Sequence, residues 1–201
     1  MVASPAVAAS ELTDLPSPIM DALYHGRPDE AQRLLDEGGA DRLTIHEAAA
    51  MGALPRLERL LADNPSDANA WSADGFQPLH LAAFFGRPDA VALLLARGAE
   101  VSTPARHAFQ VAPLHAALAG PTPQVARALV AAGADVNARQ QGGVTPLQEA
   151  AANGAVDLVG LLLERGADPA ARDENGRTAA DWARERGQTA VLEILEGPGP
   201  S

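Results

Sequence analysis

The chain has 201 residues, 44 of them alanine, with only 3% aromatics, no cysteine, no lysine and a net charge of −11. Without cysteine there is no disulfide, thiol nucleophile, iron–sulfur cluster or Cys-type zinc site. Without lysine there is no Schiff-base chemistry, no P-loop lysine and no kinase-type active site. The acidity argues against nucleic acid and anionic membrane as partners, because both require a basic footprint.

In chain order, residues 1–16 (MVASPAVAASELTDLP) carry no basic n-region and only a short apolar stretch. They are expected to be a disordered N-terminal tail, not a signal peptide. Residues 198–201 are expected to be a second disordered tail, which leaves 17–197 as a single domain. No apolar run approaches the roughly 18 residues of a membrane helix. The lack of cysteine fits a reducing compartment and a cytoplasmic location.

Within 17–197 the sequence repeats itself. Gln77-Pro78-Leu79-His80-Leu81-Ala82-Ala83 aligns with Ala112-Pro113-Leu114-His115-Ala116-Ala117-Leu118 and with Thr145-Pro146-Leu147-Gln148-Glu149-Ala150-Ala151. Thr178-Ala179-Ala180-Asp181-Trp182-Ala183-Arg184 and Leu43-Thr44-Ile45-His46-Glu47-Ala48-Ala49 extend the series, and Ser17–Leu23 fits more loosely. The units start near 17, 43, 77, 112, 145 and 178. A second landmark, 21 residues after each of the first five starts, is Gly38, Asn64, Gly98, Gly133 and Gly166. Gly and Asn tolerate the left-handed turn that closes a helix.

Each unit predicts two short antiparallel helices. The first starts at the Pro slot and runs through Leu-His-x-Ala-Ala, since proline presets φ for a first helical turn. The second follows a break at Gly26, Gly52, Gly86, Gly154 or Gly187. Pro28, Pro88 and Pro123 stand at its start, and Asp29, Asp89 and Asp157 place acid in its first turn, where the helix dipole favours it. Small Ala-Ala pairs permit close helix approach, while leucine pairs fill the seam between units.

These patterns resemble the ankyrin-repeat family. Pro78-Leu79-His80-Leu81-Ala82-Ala83, Leu93-Leu94-Leu95-Ala96-Arg97-Gly98-Ala99, Gly133-Ala134-Asp135-Val136-Asn137-Ala138 and Asp173-Glu174-Asn175-Gly176-Arg177-Thr178 carry the likeness. The resemblance implies an all-α solenoid of about six helix-turn-helix units with β-hairpin fingers. The 26-residue first step is too short for a finger, so the first repeat is expected to be an N-terminal cap, and the last a C-terminal cap with Trp182 in its core. Two extra residues lengthen the join 101–111, and Pro121 replaces the inter-helix glycine, so that repeat is expected to turn differently.

His46, His80 and His115 recur at one slot, but stacked helices lie about 8–10 Å apart. That spacing is too wide for the three to share one ion, so no metal is expected. No nucleophile–base pair appears, and the acids are scattered singly as on a solvated face, so neither catalysis nor a cofactor is expected.

The resemblance also implies a concave partner-binding surface made of finger tips and late inner-helix positions. In this sequence those slots include Tyr24, Met51, Asp74, Phe76, Phe84, Phe85, Phe109, Val111, Val144 and Asn153. All four phenylalanines fall on them. An apolar residue at such a slot otherwise packs sideways on the next repeat, but interfaces favour aromatic anchors. Residues 101–145 hold one acid, Asp135, against three arginines, whereas the first hundred hold 15 acids and 7 arginines. An acidic border of this kind steers a basic or mixed-charge protein.

The expected function is therefore a monomeric, non-catalytic protein–protein interaction module. The alternative is an accessory or immunity-type factor that stabilises or inhibits one specific enzyme. Heavy alanine and arginine use without lysine resembles proteins from GC-rich, bacterial genomes.

Overall fold

The computed structural model describes residues 17–197; the two expected tails lie outside the described residues. The chain divides after Leu43 into two compact units. The first contains α1 (Pro18–Tyr24), α2 (Pro28–Gly38) and a 3-10 turn over Ala40–Arg42. Ser17 caps α1 by accepting from the Met20 N–H, and Arg27 at the break between the helices pairs with Asp21 and Glu30 at 2.5 and 2.6 Å.

The second unit holds five helix pairs. The first helices of the pairs are α3 (Ile45–Met51), α5 (Pro78–Phe84), α7 (Pro113–Ala119), α9 (Pro146–Ala152) and α11 (Ala179–Glu185). The second helices are α4 (Leu54–Asp63), α6 (Pro88–Ala96), α8 (Pro123–Ala131), α10 (Val156–Glu164) and α12 (Thr189–Glu196). Packing is between nearest neighbours: α3, α5, α7, α9 and α11 form one row, α4, α6, α8, α10 and α12 the other. The alanine pairs are buried at the first row, and Leu79, Leu114 and Leu147 lie fully buried there, opposite Leu61, Leu94, Leu129 and Leu162 of the second. Each such leucine contributes roughly 1.5–3 kcal/mol of apolar burial.

Two polar ladders tie successive repeats together. At the inter-helix breaks, Arg87 Nε, Thr122 Oγ1, Asn153 Nδ2 and Gln188 Nε2 donate to the carbonyls of Ala50, Gly86, Leu118 and Ala152 in the preceding repeat. At the far end, Asn69 and Asn137 donate to the Gly98 and Gly166 carbonyls and accept from the Glu100 and Asp168 N–H groups. The first ladder satisfies carbonyls at or just past the ends of first-row helices, and the second satisfies backbone groups where the chain leaves α6 and α10.

The helices and turns depart from the sequence expectations at four places. Gly98, Gly133 and Gly166 are left-handed, with φ of 83°, 87° and 87°, but Gly38 is the last residue of α2 and Gly39 turns in its place at φ 79°. Asn64 is extended at φ −142° because Pro65 follows it, and a residue before proline is pushed towards β geometry. The expected β-hairpin fingers form no strand among the described residues; they are tight turns. Trp182 is only half-buried and lies against the last finger.

Candidate functional site

Four fingers link the five pairs of the second unit, and each is closed by one backbone bond across its mouth. Those bonds run from Ser72, Ala105, Gln140 and Asp173 N–H to the Phe76, Val111, Val144 and Arg177 carbonyls. Adjacent fingers are stitched together by Arg106 to Gly75, Gln141 to Phe109, and Glu174 to Gly142. The 105–111 finger is two residues longer than its neighbours, so the insertion read from the sequence lies at the finger tip. Gln110 there takes φ 50°, the one non-glycine residue with positive φ among those described.

The longer finger carries an aromatic stack. His107 stacks on Phe76 at 5.4 Å and tilts against Phe109 at 4.9 Å, and Phe76 also approaches His80 at 6.1 Å. Beside it the Arg106 guanidinium covers the Trp71 ring at 4.2 Å. Phe109 remains 56% exposed. At the end of α5, Phe84 is 40% exposed and meets Phe85 edge-on at 5.1 Å.

The remaining candidates are placed differently. Asp74 is exposed at a finger turn, where its carboxylate accepts from the Ser72 hydroxyl. Met51 and Val111 are half-buried. Asn153 is exposed, but its amide N–H is committed to the Leu118 carbonyl. Tyr24 is exposed in the first unit, at the end of α1. Val144 is buried, not presented: it sits at a finger base, where its carbonyl accepts from His115 Nε2 and the Gln140 N–H.

The histidine slot holds the base of the next finger. His46 Nε2 lies 2.9 Å from the Ala70 carbonyl and His115 Nε2 3.2 Å from that of Val144. Gln148, in the same slot, donates to the Ala171 and Arg177 carbonyls. Burial lowers His80 and His115 to about 4, so both rings are neutral at physiological pH. No group of three or more potential ligand residues suited to a metal occurs among the described residues.

One residue of this face escaped the sequence reading. Glu149, on α9, is half-buried; its Oε1 accepts from Gln140 Nε2 at 2.6 Å, and its Oε2 is buried without a hydrogen-bond partner. Burial pushes its carboxyl up from 4.5 to about 7, against the opposing Gln140 bond. The signal lay in the alignment: Glu149 occupies the slot held by Leu81 and Ala116 in the two preceding repeats, both buried. In the last repeat Trp182 takes that slot. Its indole N–H donates to Asp173 Oδ2 while Arg177 covers its ring at 4.2 Å. Burial would raise the Asp173 carboxyl, but bonds from Arg177, Trp182 and Asn175 outweigh it and hold the group below the usual carboxylate range.

A family model for ankyrin repeats in three copies matches residues 114–199, and a second, for ankyrin repeats in many copies, matches 45–95. The chain belongs to the ankyrin-repeat family. Paired helices in two nearest-neighbour rows are the architecture that this assignment requires, and the six helix pairs of the two units account for about six ankyrin repeats. No curated protein matches the chain. Among the described residues, no helix is long and apolar enough to cross a membrane.

Proposed function

We propose that this ankyrin-repeat protein is a non-catalytic module that binds another protein on the face formed by its finger tips and first-row helix ends. The observation that carries this reading is the aromatic exposure. In a chain with four phenylalanines, Phe109 and Phe84 are exposed, and Phe76 and Phe85 are half-buried against aromatic neighbours. Exposed aromatic rings held by neighbouring rings lose little conformational freedom on binding, which is why such residues anchor interfaces. Phe76, Phe84, Phe85 and Phe109 are the anchors of this reading, with Met51, Asp74 and Val111 alongside. Tyr24 belongs to the first unit and is a separate candidate contact there.

The test is capture of partners from the native cell by wild-type chain and by the Phe84→Ala/Phe85→Ala double variant. The expected result is loss of the wild-type partner with retention of the helical circular-dichroism signal. Unchanged capture by the folded double variant overturns the site.

A further inference from the structure

Resting on the protein-binding reading above, we infer that Arg106, on the long finger, receives a carboxylate of the partner, an aspartate or glutamate flanked by apolar residues. Arg106 is exposed, and its guanidinium lies over the Trp71 ring at 4.2 Å. Among the described residues that guanidinium makes no ion pair and no hydrogen bond, so its planar fork of N–H donors remains available. Arginines at the bases of the two following fingers are used differently. Arg139 Nη1 donates to the Gly143 and Arg172 carbonyls, and Arg172 Nη1 donates to the Gly176 carbonyl. The neighbouring acids are held elsewhere. None occurs in the sequence between Glu100 and Asp135. Glu100 accepts from the Thr103 hydroxyl, Asp135 from the Asn137 N–H, and Asp74 of the preceding finger from the Ser72 hydroxyl.

Placement joins this open cation to the exposed aromatic ring. The Arg106 N–H bonds the Gly75 carbonyl beside Phe76, and Phe109 follows three residues later in the same finger. Three residues of chain span at most about 11 Å, so one short extended segment of a partner reaches both. Between them His107 stacks on Phe76 and tilts against Phe109. The indole restrains the arginine side chain before binding, which reduces the freedom lost when a carboxylate docks. A guanidinium pairs with a carboxylate through two parallel N–H···O bonds, and apolar flanking residues that exclude water strengthen the pair. In a chain of net charge −11, an open cation on the exposed face fixes where a partner's acid is favoured. It selects a mixed-charge partner over a purely basic one.

The experiment selects a phage-displayed library of random peptides on the full wild-type chain. The strongest binder is synthesised twice, once as selected and once with its acid replaced by the amide. Fluorescence anisotropy reads both affinities for wild type, Arg106→Gln and Arg106→Lys, with circular dichroism confirming each fold. The expected peptides carry Asp or Glu flanked by apolar residues. Arg106→Gln should weaken the acidic peptide about tenfold and leave the amide peptide unchanged. Arg106→Lys, which keeps the charge without the fork, should fall between. Selection of no peptide, or of peptides without an acid, overturns the inference. So does equal weakening of both peptides, as a merely structural role would give, or undiminished binding of the acidic peptide by folded Arg106→Gln. Failure of the broader reading is separate and appears as unchanged partner capture by the Phe84→Ala/Phe85→Ala variant. Capture lost there but undiminished in Arg106→Gln overturns only the role of Arg106.

Discussion

Replacing Glu149 by glutamine should make the fold more stable, increasingly so as pH rises. In the folded chain burial holds the carboxyl at about 7, against 4.5 for the free group. A folded value above the unfolded one means that the native state keeps a proton that the unfolded state has released. The stability tied to that proton is fully present below pH 4.5 and is lost as pH rises through 7. The rise from 4.5 to about 7 corresponds to about 3 kcal/mol. Glutamine keeps the length and the acceptor towards Gln140 Nε2 but does not ionise. The stability difference between Glu149→Gln and wild type should therefore grow by about 2–3 kcal/mol between pH 4.5 and pH 8. Urea unfolding followed by far-ultraviolet circular dichroism at half-unit pH steps measures it. A pH-independent difference would refute the claim that burial raises this carboxyl above its ordinary value.

His80 and His115 should act in the opposite direction. Their folded values of about 4 lie below the ordinary 6.5, so between those pH values the unfolded chain binds protons that the folded chain refuses. Each ring should remove about 2 kcal/mol of stability by pH 5. His115→Gln, which copies Gln148 of the next repeat, should remove one ring's share of that loss in the same urea series, and an unchanged acid limb would contradict it. Gly120→Ala should cost about 1–3 kcal/mol for steric reasons alone. Its φ is an ordinary −80°, but an added Cβ would stand 2.6 Å from the Phe84 carbonyl oxygen. Gly98→Ala meets no atom but carries φ 83°, so its cost of about 1–2 kcal/mol is conformational. Thermal unfolding of both variants should show destabilisation, and the amide NMR signals at the end of α5 should shift only in Gly120→Ala.

The repeat register was legible in the sequence because it depends on local chemistry. Proline at a helix start, alanine pairs and leucine slots act locally, and α1, α5, α7 and α9 begin at Pro18, Pro78, Pro113 and Pro146 as those residues predict, whereas α3 begins at Ile45, one residue beyond the aligned slot. Turn details were less legible because neighbouring residues override them. Asn64 is set by Pro65, and α2 runs through Gly38 to turn at Gly39. The two-residue insertion was visible as a length, but its placement under Phe109 needed the backbone bonds of the adjacent fingers. Val144 fills a slot that resemblance marked as exposed, yet the finger base encloses it. Glu149 passes for one more solvated acid in the sequence, although its slot is apolar and buried in the two preceding repeats. A charged residue at a slot that the repeat otherwise buries is a signal that repeat alignment can supply.

The most direct test of the binding face places a photo-crosslinking amino acid in the full chain, in the native cell, at position 84, 109 or 92 in turn. Positions 84 and 109 lie on the aromatic face, whereas exposed Ala92 lies on α6 in the second row of helices. If the aromatic face binds the partner, one and the same protein is crosslinked from 84 and 109 and not from 92. Crosslinking from 92, with none from 84 or 109, would contradict it.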